Sequence, residues 1–342
     1  MKIKKYETNF KDHLYLAPKN IGEFFEDING LETELINLYP TFSYQEFHGF
    51  GGAFTESAGY SLSKLPKGKQ EHAISEYFSS DGLNYSFCRT HLNSCDFSLG
   101  NYAYLENDTM SNFSINRDKQ YLIPMIKNAF TYNPNIKLLA SPWSPPKFMK
   151  TNHTMNHGGK LKEEYKQMWA DYIVEYIKAY QKEGIQITYL SVQNEPKASQ
   201  IWESCLYDAK EEAEFVTLYL HPAFEKNYIH TKILIWDHNK ERVLERAQEV
   251  LTKQNARNYV SGIAFHWYSG DHFESLQMVK ELYPEKLLIH TEGCVGYSRF
   301  KKKEEVKNAE IYAHSIIGDM NHGVNAFIDW NMILDYHGRT KS

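Results

Sequence analysis

The chain has 342 residues, 42% of them apolar and 24% charged, which is enough for one large domain or two ordinary ones and too apolar for a disordered tail. Its 43 acidic and 38 basic residues are mixed along the sequence and leave a formal charge of -5, so no basic field exists to attract nucleic acid. Four scattered cysteines, Cys88, Cys95, Cys205 and Cys294, form no C-x-x-C pair, which excludes a disulfide scaffold and reads as reduced thiols.

The amino-terminal stretch MKIKKYETNFKDHLYLAP is charged but lacks the apolar run of a secretory signal. No segment approaches the roughly 20 apolar residues of a membrane-spanning helix, so the expectation is a cytoplasmic protein without integral membrane contact. Residues 1–45 hold one strand-like stretch, TELINLYPTFSY, ahead of a main domain at 46–342.

From residue 48 onward, short β-rich apolar runs alternate with amphipathic stretches, the pattern of βαβ units whose parallel strands are buried on both faces. Eight runs are present: HGFGGAF (48–54), YSFCRTHL (85–92), IKLLASPW (136–143), ITYLSVQNE (187–195), KILIWDH (232–238), VSGIAFHWY (260–268), KLLIHTE (286–292) and VNAFIDW (324–330). The clearest helix lies between the third and fourth, where Tyr165, Met168, Trp169, Tyr172, Ile173, Tyr176 and Ile177 fall on one stripe and Gly184 stops the pattern. Weaker helical patterns run near 66–79, 118–132, 209–226, 241–254, 272–282 and 304–320.

Eight such units predict a (β/α)8 TIM barrel of the α/β class. A doubly wound nucleotide fold would need G-x-G-x-x-G, a spacing that GFGGAF lacks. The second, third and fourth runs start 51 residues apart, against about 31 per unit in a typical barrel. The surplus falls at 93–117, 144–161 and 196–208, on the face where barrel enzymes build their sites.

Two apolar strands finish in glutamate: the fourth in Gln193, Asn194, Glu195 and Pro196, the seventh in His290, Thr291, Glu292 and Gly293. A carboxylate at a buried strand tip carries a desolvation cost that function offsets, and strands four and seven can aim two side chains across one mouth. Two carboxyls about 5 Å apart suit double displacement at an anomeric carbon, one as nucleophile and one as acid then base. In that arrangement ionised Glu292 raises the pKa of Glu195 and keeps it protonated. Two independent rim ion pairs are the alternative. Asn194, beside Glu195, can reach a sugar 2-hydroxyl or serve as a strand-end cap. Tryptophans at strand tips, Trp143, Trp267 and Trp330, can cover the C–H face of a sugar, with Trp202 in the fourth loop a weaker candidate, whereas helical Trp169 belongs to the core.

The segments FHGFGGAFTESA, CRTHLNSCDFS, LLASPWSPPKFMKTN, VQNEP, AFHWY and HTEGC occur in the order found in glycoside hydrolase family 30, and over roughly residues 45–335 the chain resembles its glucosylceramidase-type β-glucosidases. The resemblance implies Glu195 as acid/base and Glu292 as nucleophile. It implies that Arg89 steadies the nucleophile, that Asp96 grips sugar hydroxyls, that His266 and Tyr268 lie beside the catalytic pair, and that Trp143, Trp267 and Trp330 face the sugar. An Arg89–Asp96 ion pair and a packed core His266 are the competing accounts. The substrate implied is a small or lipid-linked β-glucoside, with β-xylosidase, β-1,6-glucanase or a catalytically impaired carbohydrate binder as alternatives, and no cofactor.

No metal is assigned either. His153 and His157 have the spacing of a helical metal pair, but two glycines follow and no third ligand is evident. Cys294 reads as packing, and Lys301, Lys302 and Lys303 as a solvated helix start. Family members also carry a β-sandwich built partly from residues after the barrel. Only 12 residues follow Trp330 here, ending DYHGRTKS, so the expectation is a shortened chain of reduced stability whose amino-terminal strands lack partners and are prone to self-association.

Overall fold

The computed structural model describes residues 4–20, 26, 28, 30, 36–253, 255–296 and 304–335. The chain divides into two units, Met1–Ser43 and Tyr44–Ser342. In the first, β1 (Lys5–Asn9) and β2 (Leu14–Lys19) form a two-stranded antiparallel sheet. Its turn is tied by the Asn9 side chain, which accepts from the Lys11 N–H at 3.0 Å and donates to Asp12 at 2.6 Å. The strand expected over 33–44 is not found among its described residues. Residues 36–44 carry no strand, and Pro40, which has no N–H to give a ladder, sits in their middle.

The second unit is a closed eight-stranded parallel barrel, as expected. Each strand lies within or one residue beyond an apolar run of the sequence. They are β3 (Gly49–Phe54), β4 (Phe87–Leu92), β5 (Lys137–Pro142), β6 (Ile187–Ser191), β7 (Lys232–Asn239), β8 (Val260–His266), β9 (Leu287–Glu292) and β10 (Ala326–Asn331), with β10 closing on β3. The intervening helices are α1 (Glu56–Ser63), α2 (Lys67–Phe78), α3 (Leu122–Tyr132), α4 (Lys166–Lys182), α5 (Ala209–Glu214), α6 (His221–Lys226), α7 (Val243–Leu251), α8 (Ala256–Tyr259), α9 (Phe273–Leu282) and α10 (Glu305–Asn321). A π-helical turn, Phe215–Leu220, joins α5 to α6 into the single helix read at 209–226. Among the described residues no helix is long and apolar enough to cross a membrane.

Helix α4 buries Trp169, Tyr172, Ile173, Tyr176, Ile177 and Tyr180 against the barrel, and Gly184 follows at φ +80°, a left-handed conformation that costs glycine little. Helix α1 was not anticipated. Thr55 caps it by accepting from the Ala58 N–H at 3.2 Å. The long loop after β4 is pinned by Asp118, which accepts from the hydroxyls of Tyr102, Tyr104 and Tyr180 at 2.6–2.7 Å. Burial pushes this carboxyl up to about 6 against the pull of those bonds.

Inside the barrel the side chains are stacked in layers. Phe87, Leu139, Tyr189, Leu234, Ala264, Ile289, Ala326 and Ile328 form a dry plug. Two residues further along five of these strands, side chains pointing the same way are polar: Arg89, Ser141, Ser191, His266 and Thr291. The apolar plug is thus the floor of a polar mouth.

Candidate active site

The polar layer is organised around one ion cluster. Arg89, fully buried, donates to Glu292 at 2.6 Å, Asn194 at 2.7 Å, Asp237 at 2.8 Å and Ser141 at 3.0 Å. Its carboxylate partners are Asp237 and Glu292, not Asp96, and its guanidinium also lies 4.7 Å from the Trp143 ring. Asp237, equally buried, accepts further hydrogen bonds from Ser141, Ser191 and Thr291 at 2.5–2.8 Å and from His266 Nε2 at 3.1 Å. Burial pushes the Asp237 carboxyl up, but the Arg89 charge and these donors outweigh it and hold it far below the carboxylate range.

Asp237 was missed by the sequence reading, although it stands at the tip of an apolar strand just as the two glutamates do. It enters the barrel through a bulge. Trp236 at φ +73° and Asp237 at φ +52° break the β7–β8 register between Trp236 and His238. Asp237 therefore turns to Arg89 while the next residue, His238, lines the cavity. A second buried ion pair holds this bend: Glu212 accepts from Arg246 at 2.7 Å and from the Trp236 N–H at 3.0 Å, with the Arg246 guanidinium 5.4 Å from the Trp236 ring.

Glu195 and Glu292 converge over this cluster. One oxygen of each and one nitrogen of His266 lie within 4.8 Å of one another. Strand β6 ends at Ser191, so Glu195 leaves the ladder, held by its own N–H to the Asp237 carbonyl at 2.9 Å and at φ +45°. The Glu292 carboxylate accepts from Arg89 on one oxygen and from the Tyr268 hydroxyl, at 2.9 Å, on the other.

The electrostatics correct one expectation. Burial pushes the Glu195 carboxyl up, yet the hydrogen bond from His266 at 3.2 Å and the charges of His266 and Arg89 hold it below its ordinary value. Burial opposes charge on His266 as well, but Glu292, Asp237 and Glu195 push it up to about 9. The expected upward shift of Glu195 is thus reversed by the neighbouring imidazole, whose own proton is favoured by the three carboxylates around it. Asp96 moves the other way. Burial, then the charges of Glu292, Glu195 and Glu203, push it well above the carboxylate range.

A cavity of about 340 Å³ opens over the pair, lined by the expected residues Asp96, Trp143, Asn194, Glu195, Trp202, Tyr268 and Glu292. It is also lined by Gln200, His238 and Asn239, which the sequence reading did not single out. Arg89 and His266 do not reach the cavity. Both are fully buried and touch it only through the groups they hold. Trp330 is stacked on Trp143, centroids 5.4 Å apart and planes 17° from parallel, and backs the wall without lining it. Trp267 is displaced altogether: its ring packs on Tyr312 at 4.8 Å and His290 at 5.9 Å. Strand alternation is the cause, since His266 points into the barrel and its neighbour must point out to the helices.

Trp169 is in the core, and all four cysteines are free thiols. Burial pushes the Cys294 thiol up to about 12. His153 and His157 stand in left-handed loop conformations rather than on a helix. Lys301–Lys303 lie outside the described residues, as do 336–342. Glu195, His266 and Glu292 are close enough to share a metal ion in principle. That donor set fits one poorly, because both His266 nitrogens already face carboxylates, Glu195 at 3.2 Å and Asp237 at 3.1 Å, and the Arg89 guanidinium sits 2.6 Å from Glu292.

Residues 47–341 match the glycosyl hydrolase family 30 TIM-barrel domain. A putative glucosylceramidase 4 of Caenorhabditis elegans is 37% identical over 322 residues, covering 89% of this chain and 62% of that protein. Among solved structures, SrfJ from Salmonella typhimurium superposes with a TM-score of 0.91 at 38% identity, over 96% of this chain and 74% of that one. The endo-β-1,6-glucanase BT3312 gives 0.82 at 31%, over 87% and 69%. The chain spans about 60% of the length of the curated relatives it matches. With a family match over most of its length and relatives above 30% identity across it, this chain belongs to glycosyl hydrolase family 30.

Proposed function

We propose that the chain carries the active site of a retaining β-glucosidase, with Glu292 as nucleophile and Glu195 as acid and then base. The observation that carries this reading is the approach of the two carboxylates to within 4.8 Å at the floor of a sugar-sized cavity, the spacing class of double displacement rather than inversion. Glu292, its charge oriented by Arg89 and Tyr268, attacks the anomeric carbon. The glycosidic C–O bond breaks as its oxygen takes a proton from Glu195. That proton comes to Glu195 from His266 Nδ1 at 3.2 Å, leaving a neutral ring that still donates from Nε2 to Asp237. In the second step Glu195 removes a proton from water, whose oxygen bonds to the anomeric carbon and releases Glu292. Asp96 and Asn194 bind sugar hydroxyls, and Trp143, backed by Trp330, covers the C–H face.

A glucosyl group is supported by the similarity to a putative glucosylceramidase and to an endo-β-1,6-glucanase, whose names differ in the group glucose leaves behind. The hairpin exposes Tyr15 and Leu16, at 65% and 70%, which favours association of copies through this unit; a sedimentation coefficient independent of concentration would reject that.

The chemistry is tested by trapping. A 2-fluoro-β-glucoside should add one 2-deoxy-2-fluoroglucosyl group to the peptide containing Glu292 in wild type and none in Glu292→Gln. Glu195→Gln should still form the adduct from substrates with good leaving groups but release it slowly. A label on any other residue, or a product of inverted configuration, would overturn the assignment.

A further inference from the structure

Of the lining residues without a role in the proposed chemistry, His238 stands close to a catalytic carboxylate. His238 lines the cavity beside Glu195, its Nε2 3.9 Å from Glu195 Oε1, too far for a hydrogen bond. Among the described residues its Nδ1 is buried with no hydrogen-bond partner, and the same holds for the side-chain oxygen of Asn239, the next residue on the same wall. With Nδ1 buried, Nε2 is the ring atom that a ligand in the cavity can meet, and it makes no hydrogen bond to Glu195.

The side of the site follows from Glu195. A leaving oxygen that takes a proton from this carboxyl lies about 2.6–3.2 Å from it. A hydroxyl one or two carbon atoms further along the leaving group then falls within reach of His238 Nε2. Arg89 and Tyr268 gather on Glu292, whereas His238 stands beside Glu195 on the cavity wall. Burial pushes His238 down to about 4, so the ring is neutral at ordinary pH and can either donate or accept.

We propose that His238 is a specificity-determining residue of the leaving-group subsite: its Nε2 hydrogen-bonds a hydroxyl of the departing group, so the site favours hydroxyl-bearing leaving groups, such as a second sugar, over alkyl chains of equal basicity. The inference rests on the role given to Glu195 above and adds the class of leaving group. Its competitor is a packing role, since the imidazole lies 5.0 Å from the Trp236 ring.

The test compares kcat/KM for β-1,6-linked glucosyl-glucose and n-butyl β-glucoside, both of which expel a primary alcohol, and reads the change of each on substitution. His238→Phe keeps a ring against Trp236 and should lower kcat/KM for the disaccharide roughly five- to tenfold more than for the butyl glucoside, mainly through KM. His238→Gln, which restores a hydrogen-bonding group, should recover most of the preference. Equal losses on both substrates in His238→Phe would mean that the ring acts through packing or through Glu195, and would overturn the proposal while leaving the glycosidase reading intact. A wild-type chain that hydrolyses neither these substrates nor 4-nitrophenyl β-glucoside would overturn both.

Discussion

Arg89 and Asp237 show how two buried charges hold the groups of a site in place. Neither reaches the cavity, yet between them they orient Glu292, Asn194 and His266. Removing one member strands the rest in a dry barrel. Asp237→Ala should therefore destabilise the fold by about 3–5 kcal/mol, read by chemical denaturation, in addition to its effect on turnover. A loss below 1 kcal/mol would mean that water reaches Arg89. His266 makes a pH prediction of definite sign. Its folded pKa of about 9 lies above the ordinary 6.5, so its stabilising contribution is complete below pH 6.5 and disappears as the pH rises through 9. The shift corresponds to at most about 3 kcal/mol, and stability measured across that window should fall in wild type but stay flat in His266→Phe. Glu195 and Asp237 act in the opposite direction, each lending stability that is lost only as acid protonates it.

At the scale of elements, two backbone features position the site. The first is the bulge in β7, held by Glu212 and Arg246 through the Trp236 N–H and ring. Glu212→Ala should cost about 3–5 kcal/mol and also lower kcat, because Asp237 and His238 lose their registration against Arg89 and Glu195. Unchanged kinetics in a destabilised variant would separate the bend from the site. The second is the close approach of β3 to β4. A Cβ on Gly51 would stand 1.7 Å from the Phe87 carbonyl oxygen, so Gly51→Ala must push adjacent strands of a closed barrel apart. Its thermal midpoint should drop by several degrees, whereas Gly68→Ala, with open space around it, should not. Strand alternation also explains Trp267. The run AFHWY marked a strand tip correctly, but of its last three residues His266 turns to Glu195 and Tyr268 to Glu292, while Trp267 packs on Tyr312.

For the whole molecule, the contrast is between a closed barrel and a hairpin. The barrel strands have no free edge, while among the described residues β1 and β2 pair only with each other. Hydrogen exchange should show the amides of Leu139, Leu234 and Ile289 protected to the level of global unfolding and those of β1 and β2 orders of magnitude less so. Comparable protection would contradict the two-stranded arrangement. The order of elements was legible in the sequence because eight apolar runs buried on both faces, separated by amphipathic helices, have few ways to close other than a parallel barrel. The two glutamates were legible for a related reason: a carboxylate at the end of such a run violates the pattern. What the linear order could not convey was inward or outward direction and long-range charge. Trp267 packs on Tyr312 rather than toward a sugar, and Asp237 turns to Arg89, since a bulge or a single step of alternation reverses a side chain without altering the composition of its run. The upward shift expected of Glu195 is reversed for the same kind of reason. Its direction depends on Arg89, Asp237 and Glu292, which arrive from three separate strands and meet only when the barrel closes.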